Sequence, residues 1–274
     1  MNVSIVIVVY KQLIEECKTF KTLMSHRDKL KNVQITIYDN SPEKQEFNEK
    51  VYEGLSLSYI HDSRNLGIST AYNFAFNRAK ESGCEWLLLF DHDTEITDEY
   101  IEKVMNINKV EEDIVAVVPK IYSKNKLISP VFSDSVRPLQ VEQPKEGVQN
   151  KPVMAINSGA LLRISFLTDI GGFNKQFPLD YLDHWLFYMV YANGYKVLLI
   201  DESLEHDLSI MDYSNISLGR YRSILDSEIL FYKNYKTDLF PSYKKQLVKR
   251  LIKQFLVVRN KKIAAYTLSR LFSL

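Results

Sequence analysis

The sequence predicts an α/β fold built on a mostly parallel sheet with helices on both faces, and three observations predict it. Four segments within the first 110 residues read as a strand followed by a helix, the order that a parallel sheet requires. The strands are near-continuous apolar runs, as expected where both faces are buried. Their carboxyl ends carry Tyr10, Asp39 and the pair Asp91 and Asp93, polar residues gathered where open α/β sheets bind ligands.

Val3 to Val9 (VSIVIVV) is β-branched and nearly all apolar, a central strand, and Leu13 to Ser25 has the pattern of an amphipathic helix. Val33 to Tyr38 is a second strand, Ser41-Pro42 turns the chain, and Glu43 to Tyr52 reads as helix. Leu57 to Ile60 is a third strand, and a helix over Ser69 to Glu81 stops at Gly83. Trp86 to Phe90 is five apolar residues, too short for a free helix and suited to a buried strand. Thr97 caps a helix from Asp98 to Asn108. After the strand Ile114 to Val118, residues 123–152 hold Pro130, Pro138, Pro144 and Pro152 and read as an extended insertion. Strand character returns over Val153 to Leu162, and Phe166 to Ile170 is a helical turn broken by Gly171-Gly172. A helix begins near Asp180-Tyr181-Leu182-Asp183 and ends at Asn193-Gly194; Tyr195 to Ile200 is a further strand, followed by Glu205-His206-Asp207.

At 274 residues, 46% hydrophobic and 25% charged, the composition is that of a globular protein. Cys17 and Cys84 form no zinc or redox spacing and imply no disulfide framework, which suits a reducing compartment. Neither a secretory leader nor an apolar run of about 20 residues is seen, so a cytoplasmic protein is expected. The formal charge of +1 conceals an asymmetry: after Asp238 come nine basic residues and no acidic one, leaving the preceding body at about −8.

Asp91-His92-Asp93 is the sharpest chemical feature. Residues i and i+2 of an extended chain point the same way, and two converging carboxylates repel unless a proton or cation lies between them. A hard divalent ion holding a phosphate resolves the repulsion; an acidic turn leading into a helix is the plainer alternative. Asp180 and Asp183 read equally as caps of their helix, and His206 as a structural histidine. No GxGxxG or GxxxxGK[ST] is present, so neither a dinucleotide fingerprint nor a P-loop explains a phosphate site.

Taken in order, these pieces resemble the family 2 glycosyltransferases of GT-A fold. They are Val9-Tyr10-Lys11, Tyr38-Asp39-Asn40-Ser41, Arg64-Asn65-Leu66-Gly67, Asp91-His92-Asp93, Asn157-Ser158-Gly159-Ala160 with Gly171-Gly172-Phe173, Asp180-Tyr181-Leu182-Asp183-His184-Trp185, and His206. They span about residues 3–210, and the Asp180–Asp183 stretch with Gly194-Tyr195 is similar to the bacterial rhamnosyltransferase branch. His92 stands where Gln is commoner there, and Trp185 where Glu is expected.

The resemblance implies a catalytic domain over 1–212, with a nucleotide-sugar half to about 119 and an acceptor half beyond it, and a helical extension over 213–274. It places Val9, Tyr10, Asp39, Asn65, Gly67, Asp91 and His92 at the donor nucleotide, with Asp91, Asp93 and His206 at Mn²⁺ or Mg²⁺. Ser158, Gly159, Asp180, His184 and Trp185 fall beside donor or acceptor, and Asp183 matches the general base, for which a desolvated site and a raised pKa are expected. The implied reaction is inverting transfer of rhamnose or another hexose from a dTDP- or UDP-sugar to a glycan or lipid-linked glycan in bacterial cell-surface polysaccharide synthesis.

Beyond Ser242, apolar residues spaced three to four apart alternate with Lys and Arg, the pattern of helices lying on a membrane surface. This suggests peripheral contact through residues 242–274 at the inner face of the cell membrane; packing on the catalytic domain or a second subunit is the alternative. Nucleic acid is not an expected partner, because the basic residues are confined to the tail. A sugar nucleotidyltransferase would need a Gly-rich loop after the first strand, which Tyr10-Lys11-Gln12 does not supply. A phosphoacceptor signalling module would leave Asp183 and His206 unexplained.

Overall fold

A computed structural model describes residues 2–107, 110–136, 142–207, 216–258 and 260–274. In chain order its elements are β1 (Val3–Val9), α1 (Lys18–Ser25), β2 (Gln34–Asp39), β3 (Ser56–His61), α2 (Ile68–Glu81), β4 (Trp86–Asp91), β5 (Thr94–Glu95), α3 (Asp98–Met105), β6 (Ile114–Ser123), β7 (Lys126–Ser129), β8 (Val131–Phe132), β9 (Gly147–Gln149), β10 (Val153–Met154), β11 (Leu161–Arg163), α4 (Ile164–Asp169), α5 (Leu182–Ala192), β12 (Lys196–His206), α6 (Leu218–Asn234), α7 (Phe240–Val257) and α8 (Lys261–Phe272).

The main sheet runs β3-β2-β1-β4-β11-β6-β12-β5, with β7 on β6 and β9 on β12. β3, β2, β1 and β4 are mutually parallel, whereas β11 enters antiparallel between β4 and β6. Every residue of β1 is buried, and β4 is buried from Trp86 to Phe90, which is why both sequences lack alternation. Two compact units are distinguished: Met1–Phe132 with Glu142–Asp207, which holds the sheet, and Ser133–Val141 with Leu208–Leu274, which holds α6, α7 and α8. The expected 212/213 boundary and the end of the fourth predicted helix at Asn108 lie outside the described residues.

Several expectations are corrected. Glu43 to Tyr52 is an irregular connection with a single 3-10 turn at Glu49–Tyr52. Gln45 explains this: its side chain accepts the Ile14 N–H and donates to the Gln12 carbonyl and Asp39, pinning the loop against other segments. The expected strand Val153 to Leu162 is two short strands, because Gly159 turns with φ +82 and donates its N–H to Leu89 O at 2.7 Å. Within residues 123–152 the described part holds β7, β8 and β9. β12 continues through His206, well past the Ile200 where its apolar run ends. No helix among the described residues is long and apolar enough to cross a membrane.

In the second unit, α7 packs against α6 and α8. A bidentate pair between Arg250 and the buried Glu228, at 2.5 and 2.7 Å, ties α7 to α6. The Tyr221 hydroxyl meets Thr267 at 2.6 Å and accepts from Gln254 at 2.7 Å, so these three buried side chains satisfy one another.

Candidate active site

The site is assembled where β4 leaves the sheet. Asp91 ends β4 beside Val8, and His92 and Asp93 form a tight turn into β5, which Thr94 begins. β5 pairs antiparallel with the end of β12, and Thr94 lies opposite His206. This pairing brings His206 to the two carboxylates across more than 110 residues. One ligand-capable atom from each of Asp91, Asp93 and His206 lies within 4.8 Å of the others.

The turn is held from α1. Thr19, fully buried, donates its hydroxyl to Asp91 O at 2.5 Å or Thr94 O at 2.9 Å and accepts the Thr94 N–H at 2.9 Å. The Thr19 N–H reaches His92 O at 3.2 Å. A chain of hydrogen bonds then links the turn to the histidine. The Asp91 N–H donates to Ser158 Oγ at 3.0 Å, Ser158 Oγ meets Thr94 Oγ1 at 2.6 Å, and Thr94 Oγ1 meets His206 Nδ1 at 2.9 Å. From α2, the buried Tyr72 hydroxyl donates to Asp91 Oδ1 at 3.2 Å. Asp93 has no such support: its Oδ1 is buried without a hydrogen-bond partner, 3.4 Å from His206 Nδ1.

Burial raises the Asp91 pKa, His206 works against that rise, and the neighbouring Asp93 charge adds to it. Two carboxylates, one of them with an orphaned oxygen, and an imidazole form the oxygen-and-nitrogen donor set that a Mn²⁺ or Mg²⁺ ion takes. The residues therefore fit a divalent cation. His92, half-buried between the two aspartates, lies near enough for its imidazole to lower the Asp91 pKa.

Among the residues expected at the nucleotide, Val9 is buried and Tyr10 is exposed at the end of β1. Asp39 differs from expectation. It is fully buried, its Oδ1 receives the Ser41 N–H, and its Oδ2 receives Gln45 and the Tyr59 hydroxyl. The carboxylate ties the loop and β3 together. Asn65 is exposed in left-handed conformation (φ +46). Gly67 caps α2 with φ +89, and a Cβ there would stand 2.2 Å from Pro178 O. Glycine is required because the two segments touch backbone to backbone.

Ser158 is fully buried and serves the hydrogen-bond chain, while Gly159 packs under Leu204 and Pro119. Asp183 lies in the first turn of α5 and accepts from the His184 N–H at 2.8 Å; His184 Nδ1 is 2.9 Å from the same oxygen. Tyr181, left-handed at φ +63, stacks on the His184 ring at 4.3 Å. A strained non-glycine residue at this point is itself a mark of a site. The expected rise in the Asp183 pKa is corrected. Burial pushes it up, but the His184 charge and the hydrogen bonds to its oxygen outweigh burial and hold it below the usual carboxylate value.

Asp183 acts electrostatically on the Tyr72 phenol, as do Asp91 and Asp93, so one buried ring senses both carboxylate groups. Asp180, half-buried, precedes α5. Trp185 is turned about 200° from Asp183 around the helix. It is buried against a cleft of roughly 480 Å³ lined by Asn73, Phe76 and the Gly171–Lys175 loop, not beside Asp183. Asn73 holds that loop by pairing with both the N–H and the carbonyl of Phe173, at 2.9 and 2.7 Å.

Thr19, Tyr72, Asn73 and Thr94 are contributors that motif reading missed. Thr94 alone had a visible signal, a hydroxyl directly after two carboxylates; the others lie within ordinary helical patterns.

This sheet, with its Asp–Asp–His cluster at the strand ends, defines a GT-A glycosyltransferase fold. The model of glycosyl transferase family 2 matches residues 4–170, and the chain belongs to that family. No curated protein matches the sequence. Among solved structures, S. aureus TarS is similar at TM-score 0.53 and 14% identity over 98% of this chain. The chain spans 53% of that TarS chain, about half its length. TarS 1-349 in complex with UDP-GlcNAc is similar at TM-score 0.56 and 16% identity, over 95% of this chain and 75% of that one. The mannosyltransferase PcManGT from Pyrobaculum calidifontis, in complex with GDP-Man and Mn²⁺, is similar at TM-score 0.52 and 12% identity, over 98% and 79%.

Proposed function

We propose that this domain is an inverting, metal-dependent glycosyltransferase. It moves a hexose, such as rhamnose, from a dTDP- or UDP-sugar to a glycan or lipid-linked glycan in cell-surface polysaccharide synthesis. The observation that carries the reading is the orphaned, buried Oδ1 of Asp93, held beside Asp91 and His206 at the carboxyl edge of the sheet. Similar folds in complex with UDP-GlcNAc and with GDP-Man and Mn²⁺ support the donor class.

Asp93, Asp91 and His206 would hold the cation, which when bound neutralises charge on the departing diphosphate. Tyr72, Thr19 and Ser158 keep Asp91 and the turn in place. The Asp183 carboxylate, ionised at neutral pH, takes the proton from an acceptor hydroxyl as that oxygen attacks the anomeric carbon from the face opposite the phosphate. A single displacement inverts the configuration. His184 and the first turn of α5 fix the direction of the Asp183 oxygen.

Incubation with dTDP-rhamnose, UDP-hexoses and GDP-mannose in Mn²⁺, with product anomers read by NMR, tests the proposal. An inverted glycoside or inverted free sugar is expected from one donor. Retained configuration, or turnover undiminished by EDTA, would overturn it.

A further inference from the structure

Helix α7 has two apolar faces, and the fold uses only one. Tyr243, Leu247, Leu251 and Gln254 are buried, at the three-to-four spacing of a single helical face. On the opposite face Val248, Ile252, Phe255 and Leu256 are 45%, 57%, 49% and 79% exposed. Lys245, Lys249 and Lys253 are exposed along the same side, so the uncovered apolar stripe runs beside a row of ammonium groups. α7 contains no acidic residue, and none follows Asp238 in the chain. Phe272, near the end of α8, is 85% exposed.

A helix that buried this second face in protein would need a partner offering an apolar groove edged with carboxylates. A second copy of α7 offers a matching apolar stripe but sets its lysines against like charges, with no carboxylate on the helix to pair them. An anionic bilayer offers both components together, an acyl boundary for the apolar side chains and phosphates for the lysines. We propose that the outward face of α7 lies flat on an anionic lipid surface. Val248, Ile252, Phe255 and Leu256 enter the headgroup boundary, and Lys245, Lys249 and Lys253 meet the lipid phosphates. The lysine stems, apolar along most of their length, extend the contact. The inference stands on α7 alone and does not depend on the reaction assigned to the catalytic domain.

The test is sedimentation of the full chain with vesicles of phosphatidylglycerol and phosphatidylcholine, against pure phosphatidylcholine, at low and high salt. Wild type should partition at least tenfold more strongly onto the anionic vesicles, and high salt should weaken that binding. Ile252→Glu with Leu256→Glu should abolish it, and Lys245→Glu, Lys249→Glu with Lys253→Glu should remove the preference for anionic lipid. The changed positions face outward, so thermal unfolding should stay within a few degrees of wild type. An Ile252→Trp reporter should shift its emission to the blue on anionic vesicles, a readout independent of sedimentation. Equal binding to both vesicle types, or wild-type binding by the glutamate variants, would overturn the proposal. So would a stable dimer that Ile252→Glu with Leu256→Glu makes monomeric and that ignores vesicles.

Discussion

Replacing Thr94 by Val separates the support of the cluster from the cluster itself. The change keeps the shape of the side chain and removes one hydroxyl, which joins Ser158 Oγ at 2.6 Å to His206 Nδ1 at 2.9 Å. Both partners are buried, at 0% and 5% exposure, so water does not replace what is lost. A buried polar group left without its partner costs about 1–3 kcal/mol. Ser158 keeps the Asp91 N–H and His206 Nδ1 keeps Asp93 Oδ1 at 3.4 Å, so the variant should lose about 1–3 kcal/mol of stability. Loss of a group that orients a metal-binding histidine typically costs about 10–100-fold in affinity. The assays are thermal unfolding and calorimetric Mn²⁺ titration of Thr94→Val, with Thr94→Ser as the variant that restores the hydroxyl. Weakened Mn²⁺ binding in Val and recovery in Ser are expected. A Val variant that is destabilised but binds Mn²⁺ as wild type does would show that the bond to His206 only holds the fold.

Asp93→Asn should leave the fold intact and remove the rise in melting temperature that Mn²⁺ gives wild type, a rise worth about 2.7 kcal/mol at 100 times the Kd. Asp183→Asn should bind donor normally and abolish transfer. Because the folded Asp183 pKa is depressed, the base stays ionised down to pH values below the usual carboxylate range, so activity limited by it falls only in acid. A rate limb near neutrality that survives Asp183→Asn would assign the proton to another group. Gly67→Ala should destabilise by about 2–4 kcal/mol through its left-handed backbone and the clash with Pro178 O, measured by denaturant unfolding.

The strands before residue 119 were legible because burial on both faces leaves an unbroken apolar run, as in Val3–Val9 and Trp86–Phe90. Asp91 and Asp93 were legible because two carboxylates at the end of such a run need a reason. The reach of β12 to His206 was hidden, since Asp201, Glu202 and Glu205 continue the strand with polar residues. The loop at residues 43–48 was misread as helix because nothing local reveals that Gln45 is held by Gln12, Ile14 and Asp39. Thr19 was invisible for the same reason, its partners lying more than 70 residues away. Trp185 was expected beside donor or acceptor from the resemblance alone, and its position on another face of α5 from Asp183 was not legible in the motif.

The central claim is that Asp91, Asp93 and His206 hold a divalent cation that secures the diphosphate of a nucleotide sugar. Calorimetric titration of wild type and Asp93→Asn with UDP and dTDP, in Mn²⁺ and in EDTA, tests it most directly. The account predicts binding of one nucleotide by wild type in Mn²⁺, and at least tenfold weaker binding in EDTA or in Asp93→Asn. Equal binding by the two proteins with and without metal would contradict it.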